Sequence, residues 1–268
     1  MKLVPLVASL SIALVSLADA ATDVYRLPEG VAPVSQQIEL HVDPGRTDFE
    51  GKTTIELRVD ATVDRIGLHQ KGLDMQRIEL SSDGVVRALA ATGADYDINW
   101  LSDGQPIEAG KYTLHIEYAG DFMTNSLGMH RVTFQENDYV FTQFQAMHAR
   151  EAIPTFDEPR FKIPFRLTIE APEDLVVVAN TPVATRAVDA GMQRVGFRET
   201  PPMPSYLIAF SVGPLDRAPI EGLSVPGYIY TPAGLAGETG FARRATPGIL
   251  AWFEAYFGRP YPYEKLDF

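Results

Sequence analysis

Apolar residues recur at every second position through most of the chain, the period of a strand that lays one face on a core. Ile38, Leu40 and Val42 alternate first. Phe49, Gly51, Thr53, Ile55, Leu57 and Val59 resume the pattern beyond the turn Asp43-Pro44-Gly45, so these two runs predict a hairpin. Further short runs lie at 66–68, 75–80, 96–100, 112–118, 139–144, 165–169, 175–179, 195–197 and 206–212, with turn clusters such as Ser81-Ser82-Asp83-Gly84 between them. The spacing predicts roughly a dozen strands, almost no helix, and one β-sandwich-like domain. No fixed-length repeat interrupts it.

Beyond Pro214 the period changes. One more strand is predicted over Gly227 to Tyr230, and then Phe241, Ala245, Ile249, Trp252, Phe253 and Tyr256 fall three and four residues apart, the apolar face of a helix. Gly258 is a stop signal, and Pro247-Gly248 predicts a kink or two shorter helices.

Composition narrows the function. The 268 residues hold 35 acidic against 23 basic side chains, a net charge of −12, and such a surface repels phosphate backbones and anionic headgroups. Nucleic acid is therefore excluded as a natural partner. Residues 1–20 read as an export signal: Lys2, a short apolar run from Leu3 to Leu17, and the small-x-small site Ala18-Asp19-Ala20. That run is too short for a membrane anchor. Cleavage near Ala20 predicts a secreted or periplasmic protein. The absence of cysteine removes disulfides, thiolate ligands and a cysteine nucleophile together.

The remaining chemistry is sparse. A zinc peptidase places two histidines one helical turn apart around a glutamate. His41, His69, His115, His130 and His148 provide no such spacing. His41 and His115 read as solvent-facing strand residues, and His130 and His148 lie in irregular segments 18 positions apart. No nucleophile elbow, phosphate loop or dinucleotide fingerprint is present. From patterning alone the chain is an exported β-rich protein.

Longer motifs carry a resemblance. Phe141-Thr142-Gln143-Phe144-Gln145-Ala146-Met147-His148-Ala149-Arg150, then Ala152-Ile153-Pro154-Thr155-Phe156-Asp157-Glu158-Pro159 and Phe161-Lys162, closely resemble a signature of aminopeptidase N-type zinc metallopeptidases, the superfamily that includes leukotriene hydrolase. The likeness continues at Ala179-Asn180-Thr181-Pro182-Val183, at 200–210, and at Tyr256-Phe257-Gly258, Tyr261-Pro262 and Lys265-Leu266-Asp267. It implies a saddle-shaped N-terminal β domain over 21–217 and, from 218 to 268, the first strand and helix of a thermolysin-like α/β catalytic domain. The family's Gly-x-Met-Glu-Asn loop and zinc helix follow a stretch similar to Lys265 to Asp267, so the chain is expected to stop short of both. It would bind no zinc itself, would be inactive alone, and would pack on the missing catalytic domain.

One functional position carries over. The residue matching Gln145 is Glu or Gln in relatives and binds the free α-amine of a peptide substrate; Gln143 is placed in the same pocket. Gln here resembles the leukotriene hydrolase branch, which adds epoxide hydrolysis as a minor alternative. The resemblance also implies a cis peptide at Gln145-Ala146, while Arg150 and Asp157 read as an internal salt bridge. Gly128-Met129-His130-Arg131 departs from the family, which has an aromatic pair before the arginine. The rival reading is a non-catalytic β-sandwich that binds peptides or proteins.

Overall fold

The computed structural model describes residues 25–268. The export signal lies outside these residues. The fold is mainly β, as the alternation predicts. In chain order the strands are β1 (Val31–His41), β2 (Asp48–Val59), β3 (Ile66–His69), β4 (Asp74–Ser82), β5 (Val85–Ala88), β6 (Ala90–Asp95), β7 (Ile98–Ser102) and β8 (Gly110–Asp121). They continue through β9 (Gly128–Phe134), β10 (Asn137–Gln143), β11 (Phe165–Pro172), β12 (Val176–Ala179), β13 (Val183–Asp189), β14 (Met192–Phe197) and β15 (Phe210–Gly213). The last part holds β16 (Leu215–Pro219), β17 (Gly227–Pro232), the helix α1 (Gly240–Phe257) and β18 (Leu266–Asp267).

An eight-stranded sheet in the order β13-β14-β11-β1-β2-β8-β4-β5 forms the backbone of the molecule. The hairpin read from the sequence is real: β1 and β2 pair antiparallel from Val31↔Val59 to His41↔Glu50. On the other side β1 runs parallel to β11, with Ile38 opposite Leu167 and Leu40 opposite Ile169. Ile38, Leu40, Ile55, Leu57, Leu114 and Ile116 therefore share one face, and all are buried. Each such side chain stabilises the fold by roughly 1.5–3 kcal/mol relative to exposure. A four-stranded sheet, β12-β15-β10-β9, and a three-stranded sheet, β3-β7-β6, close over that face. One contiguous cluster joins Ile66, Leu68 and Leu101 to Val140 and Val212 and to the large sheet.

Gly51 shows why one alternating position is empty. The Tyr118 ring lies across it, and a Cβ there would come within 2.6 Å of the Tyr118 hydroxyl. A side chain at 51 would evict a fully buried aromatic ring.

The third region is separate in its pairing. β16 pairs with β17, and β17 pairs parallel with β18. Parallel neighbours need a crossover, which α1 supplies. α1 ends where Gly258 turns left-handed at φ 64°, its amide donating to Ala255 O and Arg259 N to Glu254 O.

Several expectations need correction. Pro247 does not divide the helix; α1 runs unbroken from Gly240 to Phe257. Just before the proline, the Thr246 hydroxyl donates to the Ala242 carbonyl. Residues 205–207 form a 3-10 turn and the strand begins only at Phe210, because the amide of Ile208 closes back on Ser205 O. His130 lies inside β9, buried against Phe141, rather than in an irregular segment. Tyr96 and Asp97 make a left-handed turn ahead of β7. The short strands β5, β6, β9 and β13 lack the sustained alternation that would reveal them. Among the described residues, no helix is long and apolar enough to cross a membrane.

Candidate functional site

The segment from Gln143 to Glu158 leaves the end of β10 and crosses the core between the sheets. Its apolar residues fix it. Phe144, Ala149, Ala152 and Ile153 are buried, so the chain is nailed down on both sides of a short exposed stretch. Within that stretch Gln143, Gln145, Ala146 and Met147 face solvent. The His148 amide donates to Phe144 O at 2.9 Å and closes the turn, and the Gln145-Ala146 peptide is cis, as the resemblance implied. Gln143, the last residue of β10, and Gln145, in the turn that follows, are the two residues singled out from the sequence, and both are exposed beside this anchored segment.

Polar anchors complete the support. Arg150 Nε donates to Asp157 Oδ2 at 2.9 Å and Arg150 Nη2 to the Asp157 carbonyl at 2.9 Å. Ser205 Oγ donates to the remaining Asp157 oxygen at 2.5 Å. Side chains of Arg150 and Asp157 are only 8% and 1% exposed, so this is a buried ion pair with its lone pairs filled. Between Arg150 and Asp157, Gln36 Nε2 donates to Pro154 O and to Thr53 Oγ1, while Thr155 Oγ1 donates to Gln36 Oε1. Glu158 accepts from the Leu27 amide and from Arg160, which ties the N-terminal part of the described chain to the same loop.

A third cluster lies directly behind the exposed turn. His148 Nδ1 is 2.9 Å from Glu151 Oε2, and Lys71 Nζ donates to Glu151 Oε1 at 2.9 Å. Burial pushes the Glu151 carboxyl upward, but the hydrogen bonds from Lys71 and His148 outweigh it and hold the group below the usual range. Sequence reasoning missed this cluster. The three-residue spacing of His148 and Glu151 was its only local sign, since Lys71 comes from the far side of the chain.

Hollows border the loop. A cleft of about 430 Å³ lies between Phe141, Thr142 and Phe210 on one side and Tyr230, Tyr261 and Lys265 on the other. A wider one, about 880 Å³, touches Ala146, Met147 and Arg150, with Tyr96 and Asp97 on its rim.

His69 stands apart chemically. It is fully buried on β3, neither ring nitrogen has a hydrogen-bond partner among the described residues, and burial followed by the charges of Arg150 and Arg160 lowers its pKa to about 3. The unfolded chain would bind a proton at His69 below about pH 6.5 that the folded chain refuses. Stability is therefore expected to fall with pH through the window from 6.5 toward 3, at about 1.4 kcal/mol per unit from this group. Urea midpoints between pH 4.5 and 7 for the native chain and His69→Leu check this. The variant's pH dependence should be shallower by that slope, and identical slopes would show that His69 titrates normally.

No metal centre emerges. Among the described residues, no group of three or more His, Cys, Asp or Glu is placed to hold a metal ion. His130 is held in β9 and His148 is held by Glu151. His41 and His115 are half-exposed on the large sheet beside Glu170 and Glu117, as their strand positions predicted.

Comparison with known proteins follows the same motifs. The family model described as the Peptidase M1 N-terminal domain matches residues 32–207. Among similar proteins, Aminopeptidase M1-B of Oryza sativa subsp. japonica is 30% identical over 249 residues, covering 90% of this chain and 28% of the relative. Aminopeptidase N of Acetobacter pasteurianus is 29% identical over 248 residues, 90% of this chain and 69% of the relative. Aminopeptidase M1 of Arabidopsis thaliana is 29% identical over 255 residues, 90% of this chain and 29% of the relative. The chain thus spans less than a third of the length of these plant relatives.

Proposed function

We propose a function from one premise: the chain belongs to the peptidase M1 N-terminal domain family. In this reading it is the N-terminal part of a zinc aminopeptidase that removes N-terminal residues from peptides. Residues 21–217 form the β domain and 218–268 open the catalytic domain. The protein is exported and loses its first twenty residues, so it works in the periplasm or outside the cell.

The observation that carries this role is the exposure of Gln145 in a turn and of Gln143 at the end of β10, with Phe144, Ala149 and Arg150 buried around them. An amide oxygen accepts a hydrogen bond from an ammonium group, so Gln145 can hold the free α-amine of a peptide and thereby measure one residue from its end. Without a full charge it holds the amine less strongly than a carboxylate would. Gln143 lines the same site. Pinning matters because a clamp that drifts by an ångström loses its aim.

The described residues do not fit a zinc site, so no step is assigned to zinc within them; the metal belongs to the rest of the enzyme. The aromatic face of α1 supports such a partner domain. Phe241, Ile249, Trp252, Phe253, Tyr256 and Phe257 are all exposed, and a stripe of this size in water is an interface or a liability. An independent binding module has no use for it.

An assay with leucine p-nitroanilide tests the division of labour. The 268-residue chain, supplied with zinc, is expected to release no nitroaniline above a zinc-only blank. Release above that blank would place the hydrolytic chemistry inside these residues and overturn the proposal.

A further inference from the structure

His148 sits three residues beyond Gln145, in the turn that its own amide closes on Phe144 O. Its ring is not free to wander. Glu151 Oε2 fixes Nδ1 at 2.9 Å, and Glu151 is itself clasped by Lys71. The carboxylate also lies close to Gly128, where a Cβ would come within 3.0 Å of the same Oε2 atom. Gly128 pairs with Gln143 across β9 and β10. Gln143, His148 and Glu151 thus lie around one end of β9 and β10, with Gln145 three positions before His148 on the exposed turn, the imidazole part-exposed and the carboxylate buried.

The tautomer follows from the partner. An ionised carboxylate can only accept, so the proton of a neutral His148 ring resides on Nδ1. Nε2 is then a lone-pair acceptor on a side chain 28% exposed, while Glu151 is 7% exposed. A carboxylate that orients an imidazole so that its far nitrogen meets a ligand is a recurring arrangement in sites that handle protons and cations. A capping role alone does not account for it. His148 precedes the 3-10 turn Ala149–Glu151 but makes no side-chain cap hydrogen bond.

We infer that His148 Nε2 is an additional acceptor for the primary ammonium of a bound peptide, with Glu151 as the positioning residue that fixes its tautomer. The inference rests on the amine-binding reading of Gln145 and extends it. A Gln at 145 offers one neutral oxygen, and a second acceptor on the same turn lets the site hold a group that has three N–H donors. Lys71 balances the Glu151 charge, so His148 contributes a directed lone pair rather than a net field.

The test uses the 268-residue chain, with leucinamide as the free-amine probe and N-acetyl-leucinamide as its blocked counterpart. Ring 15N spectra report His148 directly, and titrations report the dissociation constant. Leucinamide is expected to shift the Nε2 resonance of His148, while the acetylated probe leaves it in place. His148→Ala should weaken leucinamide binding roughly tenfold, the loss expected for a hydrogen bond to a charged group. Glu151→Gln should redistribute the ring proton between Nδ1 and Nε2 and weaken binding by a smaller factor. If Gln145→Ala weakens binding while His148→Ala and the His148 resonance are indifferent, the inference is overturned and the amine clamp stands. If neither probe nor any variant makes a difference, the amine reading fails and takes the inference with it. The native-chain spectrum decides the question even where a variant folds poorly.

Discussion

Asp157→Ala is expected to lower the stability of the chain by about 3–5 kcal/mol, the cost of leaving one member of a buried ion pair behind. The Asp157 side chain is 1% exposed and joins two parts of the structure: Arg150 at the end of the exposed turn, and Ser205 in the 3-10 turn before β15. Alanine would strand the Arg150 guanidinium in the core without its buried carboxylate, leaving it the main-chain carbonyl of residue 157 and a 3.6 Å approach from Asp97. Asp157→Asn keeps the shape and one acceptor, so its loss should be smaller. Urea unfolding checks both. A midpoint shift below about 1 kcal/mol for the alanine variant, within the range of exposed pairs, would mean that the pair is solvated and the loop is held otherwise. A large shift would make the rigidity of the turn a consequence of this pair.

The two halves of that account were not equally legible in the sequence. Alternation gave the large sheet because period 2 over Ile38 to Val59 leaves few other ways to bury those residues. It missed β9 and β13, since one is partly polar and the other is an exposed edge. At Pro247, where a kink or two shorter helices are predicted, α1 is not divided in two. Composition could not show that β1 has β11 as a parallel neighbour, because Ile38 and its partner Leu167 lie 129 positions apart and nothing local links them.

Site residues divided along the same line. Gln143 and Gln145 were reachable only through the length of the motif around them; as lone glutamines they carry no signal. The Arg150 and Asp157 pair was readable from its seven-residue spacing around Pro154. Ser205, Gln36, Lys71 and Leu27 were not, because each arrives from a distant stretch and its role exists only once the sheets have closed. His69 is the clearest case: a histidine on an alternating strand looks ordinary until its burial is known.

The most direct test of the central claim, that this turn recognises the free end of a peptide, is the ratio of dissociation constants for leucinamide and N-acetyl-leucinamide. On the native chain the amine should bind at least tenfold more tightly. Gln145→Ala should erase most of that preference, a loss of about 1.5–3 kcal/mol for a hydrogen bond to a charged donor. Gln145→Glu should enlarge it, because the added charge strengthens the same contact. Equal affinity for the two probes, or a preference that survives Gln145→Ala unchanged, would contradict the account and leave the loop as a structural element only.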